Sequence, residues 1–157
     1  MSYFLGNILG PLDVQPEQHD PTFCFTHEEA RDLDLTNVPI RLEHHPDMTV
    51  GKIDRCFQGH DGSKWIVAHI NENSIQSHFA SKAIRPNKRG FTYYTGLSLQ
   101  HEHIDFADGT SEKRPVEVSL CVSPRRSDCR IHSVLKAGPR SYISRHRAHK
   151  MADPAPE

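Results

Sequence analysis

The chain has 157 residues, a formal net charge of -1, 36% hydrophobic residues and 11 prolines. That is enough for one domain with its own core, and its composition is that of a loop-rich globular protein, not a disordered one. No apolar run approaches the length of a membrane span, and Met1 to Gly10 has no basic residue ahead of its apolar stretch, so it does not read as a secretion signal. The four cysteines, Cys24, Cys56, Cys121 and Cys129, form no Cys-x-x-Cys pair, which argues against a zinc ribbon and for free thiols in a reducing compartment. Charge is uneven: from Arg125 onward eight basic residues face three acidic ones (+5), leaving -6 for the part before it. The basic segment reads first as a solvated face.

In chain order, Tyr3 to Leu9 is a predicted strand closed by Gly10-Pro11, and residues 11 to 22 form a polar, Pro-rich loop. Thr26-His27-Glu28-Glu29 has the form of a capping box and opens a short helix over Glu28 to Leu33. Val38 to Glu43 alternates apolar and polar residues and reads as a strand, with Pro39 favouring a sheet edge. It runs into the turn His44-His45-Pro46-Asp47. Val50 to Phe57 and Lys64 to Ile70 make a hairpin about Gln58 to Gly62. Asn71-Glu72-Asn73 caps a helix from Ser74 to Ile84, with Ile75, His78, Phe79 and Lys82 along one face. A strand from Tyr93 to Gln100 follows, then a polar stretch from His101 to Gly109. Val116 to Val122 has the cleanest strand alternation, Cys129 to Leu135 is a last strand, and Ser141 to Met151 one basic helix. The expected fold class is α+β: a mainly antiparallel barrel of about seven short strands with two or three peripheral helices, in a single domain over residues 1–151 with a disordered tail after it.

The chemistry centres on Thr95-Gly96-Leu97-Ser98-Leu99-Gln100. On a strand, Leu97 and Leu99 point to the core, while Gly96, Ser98 and Gln100 share the other face. Gly96 lets another backbone or a substrate approach the Ser98 hydroxyl, so Gly96 and Leu97 are taken as substrate-proximal. A free serine is a poor nucleophile and needs an adjacent base. His44, where a strand opens into a loop, can supply one. Glu117, on the polar face of the cleanest strand, can orient the imidazole and stabilise its cation. Arg125 and Arg126 follow that strand, and a backbone N–H with a guanidinium can hold an oxyanion. His101, His103 and Asp105, just past the serine, are rivals for the third position. His101-Glu102-His103 lacks the helical i, i+4 spacing of a zinc protease, so no metal is assigned.

These residues resemble the herpesvirus capsid maturation protease (assemblin) family and its relatives among tailed-phage prohead proteases. Val38-Pro39-Ile40-Arg41-Leu42-Glu43-His44 with Val50-Gly51 is similar to the block holding the general base. Gly96-Leu97-Ser98-Leu99 is similar to the nucleophile block, and Val118-Ser119-Leu120-Cys121 through Arg125-Arg126 to the third. Glu117 departs from the second histidine of the herpesvirus enzymes and is similar to the acidic residue of the phage relatives.

The resemblance implies a serine endopeptidase with a Ser-His-Glu triad and no cofactor, Arg125 serving the oxyanion by its main chain and Arg126 through a bound water. The implied substrate is a viral scaffolding protein cut after a small residue, commonly Ala before Ser, and the chain's own precursor is a second one. The implied partners are that substrate, the procapsid shell and a second copy across a reduced interface, with no membrane and no nucleic acid. Its place would be the procapsid interior, in the host nucleus or cytoplasm and not secreted. The alternative is an inactive protease-like protein that binds scaffold or capsid during assembly.

Overall fold

The computed structural model describes residues 1–11, 25–124 and 128–135. Seven strands and two helices follow one another there: β1 (Ser2–Leu9), α1 (His27–Arg31), β2 (Pro39–Leu42), β3 (Thr49–Gln58), β4 (Lys64–Ile70), α2 (Ile75–Ala83), β5 (Gly96–Asp105), β6 (Ser111–Cys121) and β7 (Ile131–Leu135). The strands make one sheet in the order β5-β6-β2-β3-β4-β1-β7. Every pairing is antiparallel except β2 with β6. The sheet curls until its two ends meet: Gly96 bridges Arg130, Leu97 N–H donates to the Cys129 carbonyl at 3.1 Å, and Ile131 N–H to that of Thr95 at 2.9 Å. The α+β, mainly antiparallel architecture is therefore present, as a curled half-barrel.

Three features differ from the sequence reading. Pro39 does not mark an edge, because β2 lies between β3 and β6. It is the first residue of its strand, where a missing N–H costs no ladder bond. In α2 the buried residues are Ser77, Ala80 and Ala83, while Ile75 and Phe79 stand exposed. Small side chains let that helix lie close to β3 and β4. Its cap is Ser74, whose hydroxyl accepts from Ser77 N–H at 3.1 Å. The expected helix over Ser141 to Met151 and the tail over 152–157 lie outside the described residues.

The main core fills the concave side with Phe4, Ile40, Ile53, Ile66, Leu97 and Leu120, all fully buried. Leu5, Trp65 and Val67 pack separately on the other side, with Phe57 stacked on Trp65. Gly51 is fixed by close approach: a β-carbon there would fall 1.8 Å from the His69 carbonyl oxygen on β4. These contacts set the register that matters for chemistry. On β5 and β6, Leu97 faces Leu120 and Ser98 faces Ser119. A slip of one residue would turn the leucines to water, at about 1.5–3 kcal/mol each, and the polar groups into the core. Hydrophobic burial thus holds the serine and the carboxylate on the same face.

Candidate active site

Ser98 and Glu117 come from adjacent strands, β5 and β6, with Ser119 between them. Ser119 is the ladder partner of Ser98, and Glu117 that of Gln100. His44 arrives from the turn after β2, which lies along the other side of β6 with Leu42 beside Leu120. That turn is unusual. Glu43 has φ 49° and His44 φ 62°, both left-handed without being glycine, at a cost of about 1–3 kcal/mol each. Three hydrogen bonds to the end of β6 offset it: Glu43 N–H to the Leu120 carbonyl at 3.1 Å, His44 N–H to Ser119 Oγ at 2.8 Å, and Val122 N–H to Glu43 Oε1 at 2.7 Å.

The turned-back backbone aims the His44 ring into the space between the strands. Its Nε2 lies 3.1 Å from Ser98 Oγ, and its Nδ1 is hydrogen-bonded to Glu117 Oε1. Glu117 is wholly buried and its other oxygen, Oε2, accepts from the Ser119 hydroxyl at 2.6 Å. A buried carboxylate is tolerable only when so paired. An ionised carboxylate is acceptor-only, so the Nδ1 that meets it carries the proton. The Nε2 lone pair is then directed at the Ser98 hydroxyl, the tautomer a general base requires. Ser98 is half-buried and the His44 ring partly exposed, so the pair is reachable from solvent while Glu117 is not.

The rivals for the third position lie elsewhere. His103 Nε2 pairs with Asp105 Oδ1 at 3.1 Å along the outer half of β5, and the His101 ring packs on Phe25, centroids 4.8 Å apart. Leu97 is fully buried in the main core, on the face turned away from the hydroxyl, and reaches no surface where it could touch a substrate. Gly96 does permit a close approach, by the chain itself. A β-carbon there would fall 2.3 Å from Pro124 Cγ, so the proline packs directly on it. This draws the segment after β6 over the start of the serine strand. Arg125 and Arg126, next in sequence, lie outside the described residues.

Cys121, two residues beyond Ser119, is the other nucleophile type nearby. Burial pushes its thiol up to about 12, with the Glu43 and Glu117 carboxylates adding to the rise. It therefore remains a thiol at neutral pH and is not a rival to Ser98. Among the described residues no group of three or more His, Cys, Asp or Glu could hold a metal ion.

Sequence reasoning missed two residues, Ser119 and Glu43. Ser119 shares a face with Glu117 by the alternation of β6, and that was a usable signal. The role of Glu43 depends on its left-handed turn, which nothing in its residue type announces.

No protein-family model matches the chain, and no curated protein matches it. Solved structures do. The protease of Kaposi's sarcoma-associated herpesvirus, in complex with a hexapeptide phosphonate inhibitor, aligns over 99% of this chain and 81% of its own, with a TM-score of 0.63 and 17% identity. The fold is that of the herpesvirus proteases. A second structure of the Kaposi's sarcoma-associated herpesvirus protease, in complex with a dimer disruptor, gives a TM-score of 0.58 at 19% identity, covering 99% of this chain and 92% of that one. The varicella-zoster virus protease gives 0.51 at 16%, covering 97% and 74%. The expected assemblin-like architecture is therefore present in the described residues.

Proposed function

We propose that this chain is a serine endopeptidase that cleaves a viral scaffolding protein during procapsid maturation. The observation that carries the reading is the Ser98–His44–Glu117 line, with Ser98 Oγ 3.1 Å from His44 Nε2 and Glu117 on Nδ1, set in a herpesvirus-protease fold. His44 takes the Ser98 proton as Oγ attacks the scissile carbonyl. Glu117 stabilises the resulting imidazolium, and His44 returns the proton to the leaving amine. Water then repeats the cycle on the acyl-enzyme. Arg125 and Arg126, placed by sequence after β6, are assigned to the oxyanion, a role in which one donor is worth about 2.7–4 kcal/mol. No cofactor is needed for these steps.

The hexapeptide phosphonate held by the Kaposi's sarcoma-associated herpesvirus protease supports a peptide substrate here. The dimer disruptors described for that protein support a homodimer here. The procapsid interior is the matching place of action. An inactive assembly protein with the same fold is the competing reading. It gives no reason for a base, a carboxylate and a serine hydroxyl to lie in hydrogen-bonded line.

The test is incubation of the purified chain with peptides spanning Ala-Ser junctions, with and without a chelator. Cleavage after the small residue that survives the chelator and is abolished by a fluorophosphonate is the expected result. Bound but uncut peptide, with no serine labelling, would favour the inactive reading.

A further inference from the structure

We infer that Ser119 is a positioning residue of the same site, the hinge of a closed ring of hydrogen bonds that holds His44 in its working pose. The inference rests on the proteolytic reading for its consequence in rate, and on geometry alone for its structural part. The Ser119 hydroxyl donates to Glu117 Oε2 at 2.6 Å and accepts from the His44 backbone N–H at 2.8 Å. Glu117 Oε1 closes the ring through His44 Nδ1. One side chain thus binds both the backbone that carries the base and the carboxylate that orients it. Its own residue is also the ladder partner of Ser98, so all three site residues are referenced to a single point on β6.

Ser119 is fully buried, and so is Glu117. Bulk solvent does not reach the Ser119 hydroxyl. Its removal would leave a carboxylate oxygen without its donor and the His44 N–H without its acceptor, and buried polar groups tolerate that poorly. The N–H matters most, because it belongs to a left-handed residue, φ 62°. A backbone so disposed persists only while its surroundings hold it. Without the Ser119 acceptor the turn can relax toward ordinary φ, which swings the ring off the line between Glu117 and Ser98. Near-attack geometry tolerates such displacement badly. The hydroxyl touches neither the nucleophile oxygen nor Nε2, so it acts through His44 and Glu117 and not on the substrate.

Two variants of the full chain, Ser119→Ala and Ser119→Thr, test this with two readouts. The first is the rate of fluorophosphonate labelling at Ser98, resolved into the rate at saturating probe and the half-saturation concentration. The second is the NMR signal of the His44 Nδ1 proton, which needs no activity. Ser119→Ala removes only an oxygen and keeps the β-carbon packing, so the fold is retained. Its saturating rate is expected to fall on the order of tenfold or more, with half-saturation little changed and the Nδ1 proton signal lost to exchange. Ser119→Thr restores the hydroxyl and should recover most of the rate and the signal.

Ser119→Ala labelling at the wild-type rate with its Nδ1 signal intact would overturn the inference. So would Ser119→Thr behaving like Ser119→Ala while both remain folded. If the wild type itself fails to label, the proteolytic reading falls. The Nδ1 signal then decides the ring by itself: loss in Ser119→Ala with retention in Ser119→Thr upholds it, and persistence in Ser119→Ala refutes it.

Discussion

Ser98→Ala and His44→Ala are each expected to abolish peptide hydrolysis, with kcat falling on the order of 10⁶-fold for either. The reason is that the hydroxyl and the imidazole act as one device. The alcohol is not a nucleophile without a base, and the base has nothing to activate without the alcohol. The double variant should therefore be little worse than either single one, because their effects are not additive. Neither change should unfold the chain. Ser98 and the His44 ring lie at the surface of the polar face, while the core is formed by the leucines and isoleucines of the other face. Steady-state kinetics on the Ala-Ser peptides, with circular dichroism as the fold control, measures both points. A His44→Ala variant retaining more than about a tenth of wild-type turnover, where a functional base is worth about 10²–10⁴, would move the base to another residue, His45 first.

The second large effect is at Glu117. Glu117→Gln keeps the volume and removes the charge, and neither orientation of the amide suits the site. With the amide nitrogen toward His44, the imidazole must carry its proton on Nε2 and offers no lone pair to Ser98. With the amide oxygen toward His44, the nitrogen meets Ser119 Oγ, which already accepts from the His44 N–H at 2.8 Å. The Ser119 proton then loses its acceptor, and the imidazolium formed during attack loses its counter-charge. A drop in kcat of about 10⁴-fold is expected, the size seen when the corresponding acid of a serine-protease triad becomes an amide. KM should hardly move, because the missing charge matters only once the imidazolium forms. Ala substitutions at His101, His103 and Asp105 are the controls, each expected to stay near wild type. Glu117→Gln turning over at the wild-type rate, with one of those controls crippled, would place the third residue elsewhere.

Much of the fold was legible because it is written in alternation. Lys64–Ile70 coincides with its predicted bounds, and β1 and β3 extend theirs only slightly: β1 and β4 are buried at nearly every position, and β3 buries Val50 and Ile53 with Cys56 and Phe57 partly buried. β5 was placed too early in the sequence reading, at Tyr93 to Gln100 against the observed Gly96–Asp105. Its outer part, His101 to Asp105, pairs with Ser111 to Pro115 in a ribbon carrying polar residues on both faces, so no hydrophobic period marks it. The Ile75 and Phe79 spacing on α2 was real but pointed outward, as periodicity shows that a face exists without showing which face is buried. At the site, the serine, histidine and glutamate were singled out from residue chemistry, strand parity and family resemblance together. What parity could not provide was the parallel pairing of β2 with β6, the contact that carries the His44 turn across to Glu117. It joins residues more than 70 positions apart in sequence, and no local pattern encodes it.

The most direct measurement is the mass of the intact chain after reaction with a fluorophosphonate, followed by peptide mapping. A single phosphonyl adduct on Ser98 is predicted, absent in Ser98→Ala, strongly slowed in His44→Ala, and unaffected by prior treatment with iodoacetamide. No adduct on the folded wild-type chain, or an adduct on a different residue, would contradict the account.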